Sequence, residues 1–270
     1  MKFNEKLRRI EEKNNTLVCV GLDIDKDLMP SFLFDKTTDP YLMFNNEIIN
    51  QTADLVCAYK INLAFYEVLG QEGFKTLIET IQLIPKDIPI ILDGKRNDIG
   101  NTAKKYAITL FDILQGDATT ITPYLGSDGI IPFTNYQDKG VFILCRTSNQ
   151  SAPDLQNYPK NGTPLYEHVA HQIVHWNANE NCGAVIGATY PKELQRIRTI
   201  LGEQIPILIP GVGKQGGDLS KAVEYGVNSQ GKQAIINSSR SILYAGNNSS
   251  YGLKARKATQ QLQETINNYR

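Results

Sequence analysis

Ile88-Pro89-Ile90-Ile91-Leu92-Asp93-Gly94-Lys95-Arg96-Asn97-Asp98-Ile99-Gly100-Asn101-Thr102 carries a buried strand, a charged turn and a helix start in fifteen residues. The apolar run 88–92 reads as a short strand, and a helix-like segment follows at 102–114. Residues two apart on a strand point to the same side, so Asp93 and Lys95 should project together from its end. Asp98 falls near the helix start, where the helix dipole favours a carboxylate. Acid, base and acid thus meet at a strand-to-helix junction, where α/β proteins place their chemistry. On the residues alone a second reading stands beside this one: solvated loop charges, with Asp98 serving only as an N-cap.

Working outward, the same unit recurs. Apolar runs at 17–22, 55–61, 88–92, 118–121, 140–145, 183–187, 205–209 and 233–236 alternate with helix-like segments at 41–52, 64–84, 102–114, 128–137, 164–179, 191–201, 218–225 and 254–267. Such alternation argues for a parallel sheet. Eight units in 270 residues match the ~250 of a (β/α)₈ barrel and favour closure over an open sheet. No linker divides the chain, so a single-domain TIM barrel over 1–270 is expected. The longest irregular stretch, 148–163, follows the fifth strand.

Composition narrows the function. Lys+Arg and Asp+Glu both number 28, which gives no support to nonspecific nucleic-acid binding. No apolar run approaches the ~20 residues of a membrane span. The opening Met1-Lys2-Phe3-Asn4-Glu5-Lys6-Leu7 lacks the apolar region of a signal peptide. Cys19, Cys57, Cys145 and Cys182 show no C-x-x-C spacing and sit in or at strand-like runs, so buried reduced thiols are expected. A cytoplasmic enzyme fits these features.

In a barrel the C-terminal strand ends share one mouth. The candidates there are Asp23 after strand one, Lys60 in strand two, Asp93, Lys95 and Asp98 after strand three, Arg146-Thr147-Ser148-Asn149 after strand five, the glycine-rich 210–217 after strand seven, and Asn237-Ser238-Ser239-Arg240 after strand eight. Lys60 interrupts an apolar run and needs a carboxylate partner, for which Asp93 is the first choice, or must snorkel to solvent. Loops after strands seven and eight form the recurring phosphate site of such barrels, and Arg240 can fork onto a phosphate. A plain structural turn is the competing reading of the glycines. His168, His171 and His175 lie on one face of a helix expected outside the barrel and read as surface or packing residues.

These segments together resemble the orotidine 5'-phosphate decarboxylase family, in its longer-chain bacterial branch. The resemblance runs through Gly21-Leu22-Asp23, Ala58-Tyr59-Lys60, the 93–102 signature, Arg146-Thr147-Ser148-Asn149, Pro210-Gly211-Val212-Gly213 with Gln215-Gly216-Gly217-Asp218, and Ile235-Ile236-Asn237-Ser238-Ser239-Arg240, in order over nearly the whole chain. It implies decarboxylation of orotidine 5'-phosphate to UMP in pyrimidine biosynthesis, with no metal or cofactor. It implies Lys95 as proton donor to pyrimidine C6, Asp93 beside the substrate carboxylate, and Lys60 and Asp98 completing an alternating charge array. It further implies a homodimer in which Asp98 enters the neighbour's site, ribose contacts from Asp23 and, across the interface, Thr102, a pyrimidine contact from Ser148, and a phosphate grip by Gln215, Ser239 and Arg240. Gln150 and Ser229-Gln230-Gly231-Lys232 depart from the family pattern. Neither touches an implied catalytic role, so they bear on loop details and not on the activity. The competing readings are a magnesium-dependent sugar-phosphate enzyme on the same barrel, a Schiff-base aldolase, and a non-catalytic nucleotide-phosphate binder.

Overall fold

The computed structural model describes residues 1–159, 161–212 and 217–270. Its eight strands are β1 (Val18–Gly21), β2 (Ala58–Asn62), β3 (Ile90–Arg96), β4 (Ala118–Ile121), β5 (Gly140–Arg146), β6 (Cys182–Ile186), β7 (Ile207–Ile209) and β8 (Ala234–Ser238). Each pairs in parallel with the next, and β8 returns to β1 to close the barrel. The expected (β/α)₈ architecture is the one observed. Every residue of β1, β4, β6, β7 and β8 is buried. Strands covered on both faces read as continuous apolar runs, which is why these were visible without a period-2 alternation.

The helices wrap the outside. Pro40–Thr52 and Tyr251–Tyr269 pack on each other through Phe44 and Tyr251, whose rings stack 5.2 Å apart. The helix Phe3–Asn14 packs on the N-terminal side of the strands: Phe3 meets the Phe142 ring edge-on at 5.6 Å, and Lys6 bonds Asp117 at 2.7 Å. The same Asp117 oxygen accepts the Ile90 N–H at 2.9 Å, so one carboxylate ties this helix to the start of β3. Arg198 is buried and donates to the carbonyls of Gly202, Ile205, Gly226 and Gln233. It satisfies backbone acceptors that would otherwise lose water without replacement.

Several boundaries differ from the sequence reading. The 64–84 helix is two helices, Ala64–Glu67 and Gly70–Leu83, because Gly70 turns the chain at φ +63°. The helix after β3 starts earlier, at Gly100, and passes into a π-helical turn, Thr109–Ile113. The irregular 148–163 stretch contains a short helix, Ala152–Gln156. Most relevant to the site, β3 does not stop at Leu92 but pairs on to Arg96. All four cysteines are buried and unpaired. Among the described residues no helix is long and apolar enough to cross a membrane.

Candidate active site

A cavity of about 660 Å³ opens at the C-terminal ends of the strands. Asp23, Lys60, Asp93, Lys95, Ser148, Ser239 and Arg240 all line it. They come from β1, β2, β3, β5 and β8 and the loops that follow them, so residues up to 217 positions apart share one space.

Its lower wall is a row of alternating charges. Lys60 Nζ lies 3.4 Å from Asp23 Oδ1 and 3.1 Å from Asp93 Oδ2, and Lys95 Nζ lies 2.7 Å from Asp93 Oδ1. The partner that Lys60 required is Asp93, and Asp23 is a second one. Lys60 is 4% exposed and Asp93 7%. Burial alone would pull the Lys60 ammonium toward neutrality, but the Asp23 and Asp93 carboxylates outweigh it and hold its pKa above the usual lysine value. Burial would likewise push Asp93 up. Lys60 and Lys95, with hydrogen bonds from Lys95 and Thr120, outweigh burial and hold that carboxyl well below the usual range. Both groups are therefore charged across neutral pH.

Lys95 is the open end of this row: its side chain is 46% exposed. Its backbone sits at φ +45°, in the left-handed region that non-glycine residues rarely take. That turn follows from the β3–β4 pairing, in which Leu92 opposes Thr119 and Arg96 opposes Ile121. Three residues of β3 thus face one of β4, and the bulge re-aims Lys95. Asp93 and Lys95 do meet, as alternation suggested, but over an irregular ladder.

Asp98 departs from the sequence picture of two carboxylates flanking one lysine. Within one chain it forms no ion pair among the described residues, and its Oδ1 accepts the Ile99 N–H at 2.7 Å. Nor is it the N-cap of the following helix, which is Ile99. Asp98 and Thr102 are both absent from the cavity lining of their own chain. Gln215 lies outside the described residues.

Arg146 also departs from its expected place at the mouth. It is fully buried and turns away from the cavity. Its guanidinium lies over the Tyr190 ring at 3.6 Å and donates to Gln156 Oε1 at 3.1 Å. Gln156 Oε1 also accepts the Thr147 N–H at 3.0 Å, so this outer network holds the backbone that leads into Ser148. Gly187 supports the same turn from the end of β6. A Cβ there would fall 2.7 Å from Ser148 Cβ and 2.8 Å from its backbone nitrogen.

Two contributors went unnoticed in the sequence. In the sequence Thr120 is only one residue of the apolar run 118–121. Its hydroxyl donates to Asp93 Oδ1 at 2.7 Å. Tyr244 lines the cavity and donates to the Asp23 carbonyl at 2.8 Å. A threonine inside an apolar strand was the available signal for Thr120. For Tyr244, in the segment after β8, there was none.

The model of the orotidine 5'-phosphate decarboxylase / HUMPS family matches residues 16–254. An orotidine 5'-phosphate decarboxylase of Dehalococcoides mccartyi is 48% identical over 100% of this chain and 99% of its own length. The structure of Leishmania donovani OMP decarboxylase superposes with a TM-score of 0.87 at 37% identity, covering 100% of this chain and 99% of that one. The structure of Leishmania donovani UMP synthase gives 0.88 at 38% identity, and there the match covers 99% of this chain and 56% of that one. With a family match across the barrel and relatives of this identity over its whole length, the chain belongs to the orotidine 5'-phosphate decarboxylase / HUMPS family.

Proposed function

We propose that this chain is a cytoplasmic enzyme of pyrimidine biosynthesis that decarboxylates orotidine 5'-phosphate to UMP, using no metal or organic cofactor. Relatives sharing 42–49% of its sequence over at least 95% of their own length carry the name orotidine 5'-phosphate decarboxylase. The observation that carries the reading is the Lys60–Asp93–Lys95 row on the cavity wall, a cation–anion–cation array whose outer lysine is half open to the ligand space.

Losing CO₂ from an sp² carbon leaves an electron pair with little delocalisation. In our reading the C6–carboxylate bond breaks, CO₂ leaves, and the pair remains on C6. The Lys95 ammonium lowers the energy of that anion and transfers a proton to it, forming C6–H. The resulting neutral amine is reprotonated from solvent, to which its side chain is open. Asp93 lies beside the departing carboxylate. Two like charges ~4 Å apart at an effective dielectric of ~20 repel by about 4 kcal/mol. Strain of this sort supplies ~1–5 kcal/mol, so stabilisation of the carbanion by preorganised charge must provide most of the acceleration.

The remaining roles are assigned on the same basis. Asp23 and Thr102 bind ribose hydroxyls, Ser148 meets the pyrimidine, and Gln215, Ser239 and Arg240 hold the phosphate. Arg240 suits a phosphate grip because it is exposed on the cavity rim and forms no ion pair among the described residues. Asp98 and Thr102 act across a homodimer interface. Exposed Ile99, Tyr124, Leu125 and Ile131 supply an apolar surface in the segments that pack around Asp98. A surface of that kind favours burial against a second copy.

The deciding experiment is a spectrophotometric assay with orotidine 5'-phosphate, run with and without a chelator. Turnover to UMP that chelation leaves unchanged is expected. Absence of turnover, or its loss on chelation, overturns the reading. The Lys95→Ala variant should lose turnover and keep its fold, and near-normal activity would remove the proton-donor assignment.

A further inference from the structure

The bulge that presents Lys95 requires a restraint. A non-glycine residue in the left-handed region costs ~1 kcal/mol or more and persists only where its surroundings impose it. Asp93, Gly94 and Lys95 together face the single residue Thr120, so the ordinary ladder bonds cannot supply that restraint.

Thr120 supplies it with one hydroxyl. The residue is 1% exposed yet lines the cavity. Its Oγ1 accepts the backbone N–H of Lys95 at 3.1 Å and donates to Asp93 Oδ1 at 2.7 Å. That same carboxylate oxygen accepts from Lys95 Nζ at 2.7 Å. A closed ring results: Lys95 backbone, Thr120 hydroxyl, Asp93 carboxylate, Lys95 ammonium. Neighbouring Thr119 donates to the Leu92 carbonyl at 2.8 Å and fastens the point where the bulge begins.

We propose that Thr120 is a positioning residue for the decarboxylation: its hydroxyl fixes both the backbone of Lys95 and the rotation of the Asp93 carboxylate, and so sets where the ammonium points. The inference rests on the function proposed above and adds to it a residue that reaches the chemistry through Asp93 and Lys95. Valine has nearly the shape of threonine but can neither accept the Lys95 N–H nor donate to Asp93. Without those bonds the carboxylate can rotate toward Lys60, 3.1 Å from its other oxygen, and the Lys95 turn loses its anchor. Misplacement of a reacting group by ~1 Å costs about 10²-fold in rate.

The test compares wild type with Thr120→Val, Thr120→Ala and Thr120→Ser, by steady-state kinetics on orotidine 5'-phosphate from about pH 4.5 to 9 and by equilibrium binding of UMP. Thr120→Val should lower kcat by ~30–100-fold, with KM and the Kd for UMP changed less than ~3-fold. Lys60 and Lys95 still hold the Asp93 carboxyl well below the usual carboxylate range in this variant, so the loss of kcat should be of similar size across that pH interval. Thr120→Ser restores the hydroxyl and should recover kcat to within ~3-fold of wild type. If the valine variant does not fold, Thr120→Ala carries the same expectations. The inference is overturned if the hydroxyl-free variant keeps near-wild-type kcat, if serine is as slow as valine, or if the loss lies in KM and UMP binding instead of kcat. An inactive wild type would remove the proposed function and this inference with it. An active wild type with an unaffected valine variant removes this inference alone.

Discussion

Lys60 Nζ stands 3.1 Å from Asp93 Oδ2 while Lys95 occupies the opposite oxygen, so one buried carboxylate is shared between two ammonium groups. The signs of the two shifts fix how this pair answers to pH. Asp93 is depressed below its ordinary 3.8, so its contribution to stability is present above that value and is lost as pH falls through the native pKa. Lys60 is raised above its ordinary 10.5, so its contribution is present below that value and is lost as pH rises through the native one. Between these limits removal of Lys60 takes the partner from Asp93 Oδ2 and leaves Lys95 and Thr120 on the other oxygen. We expect Lys60→Met to destabilise the protein by ~1–3 kcal/mol at about pH 7, with a smaller gap to wild type at about pH 4, where a carboxyl with one cation fewer protonates more readily. Urea denaturation at the two pH values checks this, and an equal gap at both would contradict it.

The barrel was legible because strands buried on both faces leave uninterrupted apolar runs, and eight of them in this length have few other arrangements. What polarity hid was β3 beyond Leu92. Backbone pairing reaches Asp93 on the β2 side and resumes at Arg96 on the β4 side, across the bulge, although these side chains are charged, since ladder bonds do not depend on hydrophobicity. The Lys60–Asp93 pair followed from the cost of an unpaired buried ammonium. Three features needed coordinates: the aim of Lys95, which depends on an irregular register; the outward turn of Arg146, which depends on Tyr190; and Thr120, whose role depends on a neighbouring strand. Local sequence carries none of those long-range relations.

Gly187 is predicted to act as a spacer for Ser148. A Cβ at this position would fall 2.7–2.9 Å from three atoms of Ser148, two of them backbone, so the loop and not a flexible side chain must yield. Gly187→Ala should therefore raise KM for orotidine 5'-phosphate by about 10-fold or more, if Ser148 meets the pyrimidine, and cost ~1–3 kcal/mol of stability through overpacking. Unchanged KM would show either that the loop relaxes freely or that Ser148 makes no ligand contact. A Ser148→Ala variant separates those two outcomes.

Glu11 offers a pH dependence located away from the site. It is 3% exposed, and its Oε1 has no hydrogen-bond partner among the described residues. Burial is the main cause that pushes its pKa from 4.5 to about 8, against the pull of Arg270 and Lys232. The native protein thus binds a proton between those values that the unfolded chain has released. Stability should be fully present below 4.5 and fall as pH rises through about 8. Glu11→Gln removes that proton exchange. The variant should match wild type near about pH 4 and exceed it by on the order of 3 kcal/mol at about pH 8.5. Parallel stability curves for the two proteins would contradict this assignment.

Asp98 provides the test of a shared site. Its carboxylate is partly exposed, forms no ion pair among the described residues and is absent from the cavity of its own chain, whereas Lys95 lies on that cavity's wall. If Asp98 serves the neighbouring subunit, a homodimer of Lys95→Ala lacks the lysine in both sites and one of Asp98→Ala lacks the aspartate in both. A mixed dimer places both lesions in one site and leaves the other whole. Random exchange of equal amounts makes half of all dimers mixed, each with one intact site of two. Mixing two inactive variants should then restore about a quarter of wild-type activity, an estimate that assumes independent sites and no effect of Asp98 on its own chain's lysine. If Asp98 acted within its own chain, every site in the mixture would carry a lesion, and activity would stay at the level of the separate variants even after subunit exchange is confirmed by mass-tagged chains.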